Sequence, residues 1–254
     1  MDILQGFGDQ LLIGAWLTVR LALASVALGL VLGMLLALMK LSTIGPVRWI
    51  ANGYTDVFRG LPELLVVLMI YFGAEAAVRA LYNDVLGFEG YIEIGPFAGG
   101  VLALGLIFGA YSSEVFRGAV QSIPVGQKEA ATALGMGRFL AFRRIIMPQV
   151  WRVAMPGLGN LYLVTLKDTA LVSVIGLNEL MRMANVAGRN TRDYFTFLMA
   201  AAVIYLTLTL ISMAVLAWLE RRANRGSSSQ GGASGSKPKP PTAEAAEAAE
   251  GASS

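Results

Sequence analysis

The stretch LALASVALGLVLGMLLALM, Leu21–Met39, holds no charged residue. A bilayer core about 30 Å thick takes about 20 mostly apolar residues as a helix, so this run is long enough to cross one. Backbone groups in hydrocarbon must find partners within the segment, which makes a helix the expected form. Working outward, the span is placed at about 11–39, with Arg20 inside it. Further apolar stretches at about 57–78, 94–116, 153–178 and 194–219 bring the expected total to five. The second carries Arg59, Glu63 and Glu75, and the fourth is split by Lys167 and Asp168.

The composition agrees. Of 254 residues, 56 % are hydrophobic and 15 % charged, against about a quarter charged in a soluble domain. The chain lacks cysteine and histidine, which excludes disulfides, thiol or imidazole nucleophiles and His/Cys metal sites. No metal and no catalytic residue is expected. Asp2 and Asp9 precede the first apolar run where a cleavable signal would carry basic residues.

Basic residues set the orientation. With the N-terminus outside, the inner segments hold Lys40, Arg48, Arg117, Lys128, Arg138, Arg143, Arg144, Arg152, Arg221, Arg222 and Arg225. The outer segments hold only Arg79, Arg182, Arg189 and Arg192. Loops rich in Lys and Arg stay in the cytoplasm, so an all-α membrane protein with its N-terminus out and C-terminus in is the expected architecture. The net charge of +3 is then a topology signal and gives no reason to invoke nucleic acid. Residues 1–225 form the expected membrane domain. From Gly226 to Ser254 the chain turns to Gly, Ser, Ala, Pro, Lys and Glu, the composition of a disordered cytoplasmic tail.

Small residues recur at four-residue steps: Ser25, Gly29, Gly33 and Ala37 on the first span, and Gly105, Gly109 and Ser113 on the third. Such stripes let helices approach closely in lipid, either within one subunit or between two.

The inner loop after the third span reads SIPVGQKEAATALGMGRFLAFRRIIMPQVWRVAMPGLGN, from Ser122 to Asn160. It is long for a helix connection and is not low in apolar residues, which points to function. Glu129 to Leu134 favours helix, Gly135 and Gly137 interrupt it, Phe139 to Met147 resumes it, and Pro148 is expected to end the run.

This loop resembles the signature of the membrane subunits of bacterial binding-protein-dependent ABC importers. That signature is Glu-Ala-Ala, three residues, Gly, nine residues, then Ile-x-Leu-Pro. Here Glu129, Ala130, Ala131, Gly135, Ile145 and Pro148 stand at those spacings, with Met147 in place of Leu. The stretches VFRGLPELLVVL, AYSSEVFRGAVQSIPVGQ and LKDTALVSVIGL are similar to the polar amino-acid subfamily. Glu63 after Pro62 suits its Q-type subunits, those of the histidine and lysine–arginine–ornithine importers and the opine importers. The resemblance runs from about Leu11 to Arg222. It implies a type I importer permease fold in a bacterial cytoplasmic (inner) membrane. The implied partners are a dimer of cytoplasmic ATPase subunits, a second permease subunit, identical or homologous, and an extracytoplasmic binding protein. It also implies that the loop docks as a helix in a groove of the ATPase. The chain has no Gly-rich phosphate loop, so ATP is expected to be bound and hydrolysed by the partner, and no cofactor by this chain.

Ionisable residues inside spans mark transport paths or polar networks. The candidates for a substrate path are Glu63, Tyr111, Ser112, Glu114, Lys167, Asp168 and Thr169. Lys167 and Asp168 point about 100° apart on a helix, so they share no face. Asn160 falls on the face of Lys167, while Thr165 and Thr169 fall on that of Asp168. Arg59 with Glu63, and Glu114 with Arg117, also suit helical ion pairs. An ion-gradient-driven secondary transporter and a membrane scaffold are the competing readings. The first wants more spans and an internal repeat; the second has no use for charges in mid-span.

Overall fold

The computed structural model describes residues 6–80 and 94–224. The elements that carry function lie in the unit Met1–Glu220; of the second unit, Arg221–Ser254, only residues 221–224 are described. The expected tail, 226–254, lies outside the described residues, as does the segment around Asp84.

The described chain is helical: α1 Gly8–Lys40, α2 Gly45–Gly60, α3 Glu63–Ala80, α4 Pro96–Gln121, α5 Val125–Ala133, α6 Arg138–Ala141, α7 Met147–Asp168, α8 Leu180–Thr191 and α9 Tyr194–Asn224. A π-helical turn, Phe142–Ile146, joins α6 to α7, and a 3-10 turn, Thr169–Ile175, continues α7. Four stretches are each long and apolar enough to cross a membrane: Gly8–Lys40, Pro96–Gln121, Arg138–Ile175 and Tyr194–Ala223. Helices α2 and α3 pass the same test only as a bent pair, either one broken span or a re-entrant loop.

This bent pair departs from the single helix expected over 57–78. The chain bends by 113° between α2 and α3. Leu61 is extended, with φ −98° and ψ 148°, because it precedes Pro62, whose ring disfavours helix at the residue before it. Arg59 and Glu63 therefore fall on different helices, and the ion pair expected along one helix face does not arise.

The fourth crossing departs in two ways. Pro148 does not end a helix; it sits in the first turn of α7, where a missing amide is tolerated. The turn before it makes room, since the Met147 amide reaches back five residues to the Phe142 carbonyl. One helical stretch thus runs from Arg138 into the membrane. At the other end the α-helix stops at Asp168, short of 178, and tightens into the 3-10 turn, which Gly176 closes at φ +98°.

Helices α1 and α4 pack more extensively than any other pair, and the small residues explain why. A side chain at Gly29 would run into Phe108 and the Gly105 carbonyl, and one at Gly33 would overlap Ser112. The stripes serve packing within the subunit. Around this pair, Val66, Val67 and Tyr71 of α3 join Leu21, Leu104, Val172 and Ile175 in one cluster. At the α1 C-terminal end Ala37, Phe116, Ile123, Ile146 and Val150 form another. Near the N-terminus Leu11 and Ala15 pack with Leu180, Ala184, Phe197 and Ala201 of α8 and α9.

Candidate functional site

The bend after Gly60 places Glu63 at the first residue of α3, and the end of α7 brings Asp168 to it. The two carboxyls are close neighbours. Two carboxyls in contact are an unfavourable arrangement for two negative charges, and a site that gathers them is suited to a cation or a shared proton. On α4, Tyr111 receives the Arg59 guanidinium 5.5 Å from its ring centroid, within cation–π range. Lys167 turns the other way. It is exposed and lines a cavity of about 400 Å³ with Ala170, Met181, Leu198, Ala201, Ala202 and Tyr205.

The other path candidates do not join this cluster. Ser112 and Thr169 are fully buried. The Ser112 hydroxyl donates to the Gly29 carbonyl at 3.2 Å, and Thr169 donates to the Leu166 carbonyl at 2.7 Å. Glu114 accepts from Lys40 at 2.6 Å through Oε1 and from Arg117 at 2.7 Å through Oε2. The Glu114–Arg117 pairing is the one expected from their spacing; Lys40, read from sequence as a topology residue only, is its second partner.

The segment between α4 and α7 forms a helical hairpin. Helix α5 ends in a closed pair of hydrogen bonds: the Met136 amide reaches the Ala131 carbonyl at 3.0 Å and the Gly135 amide reaches Thr132 at 2.9 Å. This closure needs a left-handed residue, and Gly135 supplies it at φ +71°. The chain then turns through Gly137 into α6. Ala131 is buried, while Glu129, Ala130 and Pro148 are exposed and Ile145 is half-buried. Beside the turn, Leu134 is 78 % and Phe139 76 % exposed. With Val125 and Leu140 they give the hairpin an apolar surface.

Sequence reasoning passed over Glu179. It is fully buried and caps α8, accepting from the Met181 amide at 2.9 Å and the Arg182 amide at 2.8 Å. Tyr205 of α9 donates to it at 2.9 Å and Thr18 of α1 at 3.4 Å. Burial pushes its carboxyl above the ordinary carboxylate range, and these four donors pull it back. The signal available in the sequence was an acid just ahead of an amphipathic run, the mark of a helix start.

Three comparisons bear on this arrangement. The family model described as "Binding-protein-dependent transport system inner membrane component" matches residues 29–225. The nopaline transport system permease protein NocQ of Agrobacterium fabrum is 45 % identical over 225 residues, 89 % of this chain and 95 % of that protein. The histidine/lysine/arginine/ornithine transport system permease protein HisQ of Escherichia coli is 42 % identical over 224 residues, 88 % of this chain and 97 % of that one. Among solved structures, an amino acid ABC transporter crystallised with histidines superposes with a TM-score of 0.73 at 35 % identity. The match covers 87 % of this chain and 99 % of that one.

Proposed function

The chain belongs to the family of binding-protein-dependent transport system inner membrane components, and from that membership we infer how it works. It is a multi-pass permease subunit of an ATP-driven importer, with the N-terminus outside and the C-terminus inside. A separate pair of ATPase subunits binds and hydrolyses ATP; this chain holds no nucleotide and no cofactor. A soluble binding protein delivers substrate to the outer face.

The observation that carries the reading is the apolar surface of the α5–α6 hairpin. Leu134 and Phe139 stand exposed on either side of a glycine-closed turn. Large apolar side chains held open in this way mark a protein–protein contact, and a helix laid in a groove of the ATPase would cover them. The helical stretch from Arg138 to Ile175 connects that contact to the middle of the bundle. Closure of the ATPase pair can thereby rock the spans between inward-open and outward-open states.

The substrate is a basic amino acid or an opine. Relatives named for nopaline, octopine, arginine and the histidine–lysine–arginine–ornithine group support it, and so does the Glu63–Asp168 pair, which suits a cationic end group. A second permease subunit, identical or homologous, completes the path. Asn160 and Lys167 lie exposed on one face of α7, and polar groups there are costly against lipid.

Co-purification tests the reading. The wild-type chain should retain its ATPase subunit through affinity purification in detergent. Leu134→Asp with Phe139→Asp should release the ATPase while the permease remains in the membrane. Retention of the ATPase by the double variant would refute the docking role of the hairpin.

A further inference from the structure

We propose that Lys40 and Glu114 form a coupling latch, an ion pair that fixes the inner end of α4 to α1 so that movement of α5 is passed into the bundle. The proposal rests on the reading of the α5–α6 hairpin as the ATPase-facing element.

The geometry begins inside the α1–α4 crossing. The Lys40 side chain is 1 % exposed. Its ammonium donates to Glu114 Oε1 at 2.6 Å and to Ser113 Oγ at 3.0 Å. The second carboxylate oxygen accepts from Arg117 Nε at 2.9 Å and Nη2 at 2.7 Å. Arg117 Nη1 then donates to Gln121 Oε1 at 3.3 Å. Gln121 is the last residue of α4, and α5 starts at Val125. A continuous polar chain thus runs from the last residue of α1 to the point where the coupling helix leaves α4.

Stability alone gives little reason for such a chain. A buried ion pair loses about as much in desolvation as it gains in attraction, and apolar residues of the same volume often do as well. A lysine in the last turn of a helix is favourable beside the helix dipole, but that benefit needs no partner on α4. What the pair adds is direction. The short link Ser122–Pro124 is held on one side by Ile123, buried with Ala37, Phe116 and Ile146. The end of α4 just before it is tied by the Lys40–Glu114–Arg117–Gln121 chain. With both in place the link transmits a push; with the ionic side removed it can absorb one.

The test uses the complete complex, permease with ATPase and binding protein, in proteoliposomes. It reads substrate imported per ATP hydrolysed. Lys40→Met should lower that ratio about fivefold or more, the scale of an ordinary coupling energy between sites, with the ATPase still bound. Lys40→Arg, which keeps the cation, should restore most of it. Glu114→Gln, nearly isosteric, should lower the ratio as Lys40→Met does, and serves as the measurement should Lys40→Met not assemble. Wild-type ratios in Lys40→Met or Glu114→Gln would overturn the latch, and so would failure of both to assemble, which would make the pair a folding element. A wild-type complex whose hydrolysis ignored the binding protein would refute the coupling role of the hairpin itself, and the latch with it.

Discussion

Asp168 and Glu63 were each visible in the sequence as ionisable residues within apolar stretches, but their meeting was not. It depends on the break at Leu61 and Pro62, which turns Glu63 into the start of a new helix, and on the end of α7 at Asp168. The same geometry separates Lys167 from Asp168, as the 100° rule requires, so neighbouring charges serve different surfaces. Asp168→Asn is expected to reduce uptake of a cationic substrate about tenfold or more, the loss of one hydrogen bond to a charged group. Permease level and bound ATPase should be unchanged. Radiolabelled arginine uptake by membrane vesicles measures this, and normal uptake would assign Asp168 a purely structural role. Ser112 and Thr169 carry the opposite expectation. Their hydroxyls are buried and bonded to backbone carbonyls, so Thr169→Val should change complex stability rather than substrate preference, read by comparing melting temperature with competition among amino acids.

At the scale of elements, the pattern of small residues was legible because it follows helical periodicity. Placing those stripes face to face required the fold. A carbon added at Gly33 would overlap the Ser112 hydroxyl and press on the Gly109 carbonyl at 3.1 Å. Gly33→Leu should therefore cost about 1–3 kcal/mol by overpacking, seen as a lower melting temperature of the purified complex. A neutral result would mean that α1 and α4 cross elsewhere. The α5–α6 hairpin was also largely legible, since Gly135 stands where a helix must close with a left-handed residue. Two features escaped. A π-helical turn leaves no residue signature, so Pro148 read as a stop instead of the first turn of α7. Helix α8 was hidden in a connection marked only by its arginines, because its twelve residues are too few to register as a span. Its cap, Glu179, draws on Thr18 and Tyr205 from other helices, contacts that no local pattern encodes.

At the scale of the whole molecule, the basic residues from which orientation is inferred also border the α5–α6 hairpin, so the proposed topology and function make one joint prediction. A reporter fused after Arg225 should be cytoplasmic and one inserted near Asp84 extracytoplasmic, as alkaline phosphatase and fluorescent-protein fusions would report. Finding both on one side would refute an odd number of crossings. In the proposed topology the hairpin is inside, so that substrate capture and ATP hydrolysis would occur on opposite faces, joined by a coupling free energy that can be lost while each face still works. Gly135→Val removes the left-handed closure of α5, at a cost of roughly 1–2 kcal/mol, and re-aims Leu134 and Phe139. Glu129→Lys reverses a charge on the exposed side of the same helix. The most direct measurement is the stimulation of ATP hydrolysis by substrate-loaded binding protein in proteoliposomes. The wild-type complex should be stimulated and both variants should lose stimulation and uptake together; stimulation and uptake at wild-type rates in both would contradict the assignment of this hairpin as the element that couples ATP to transport.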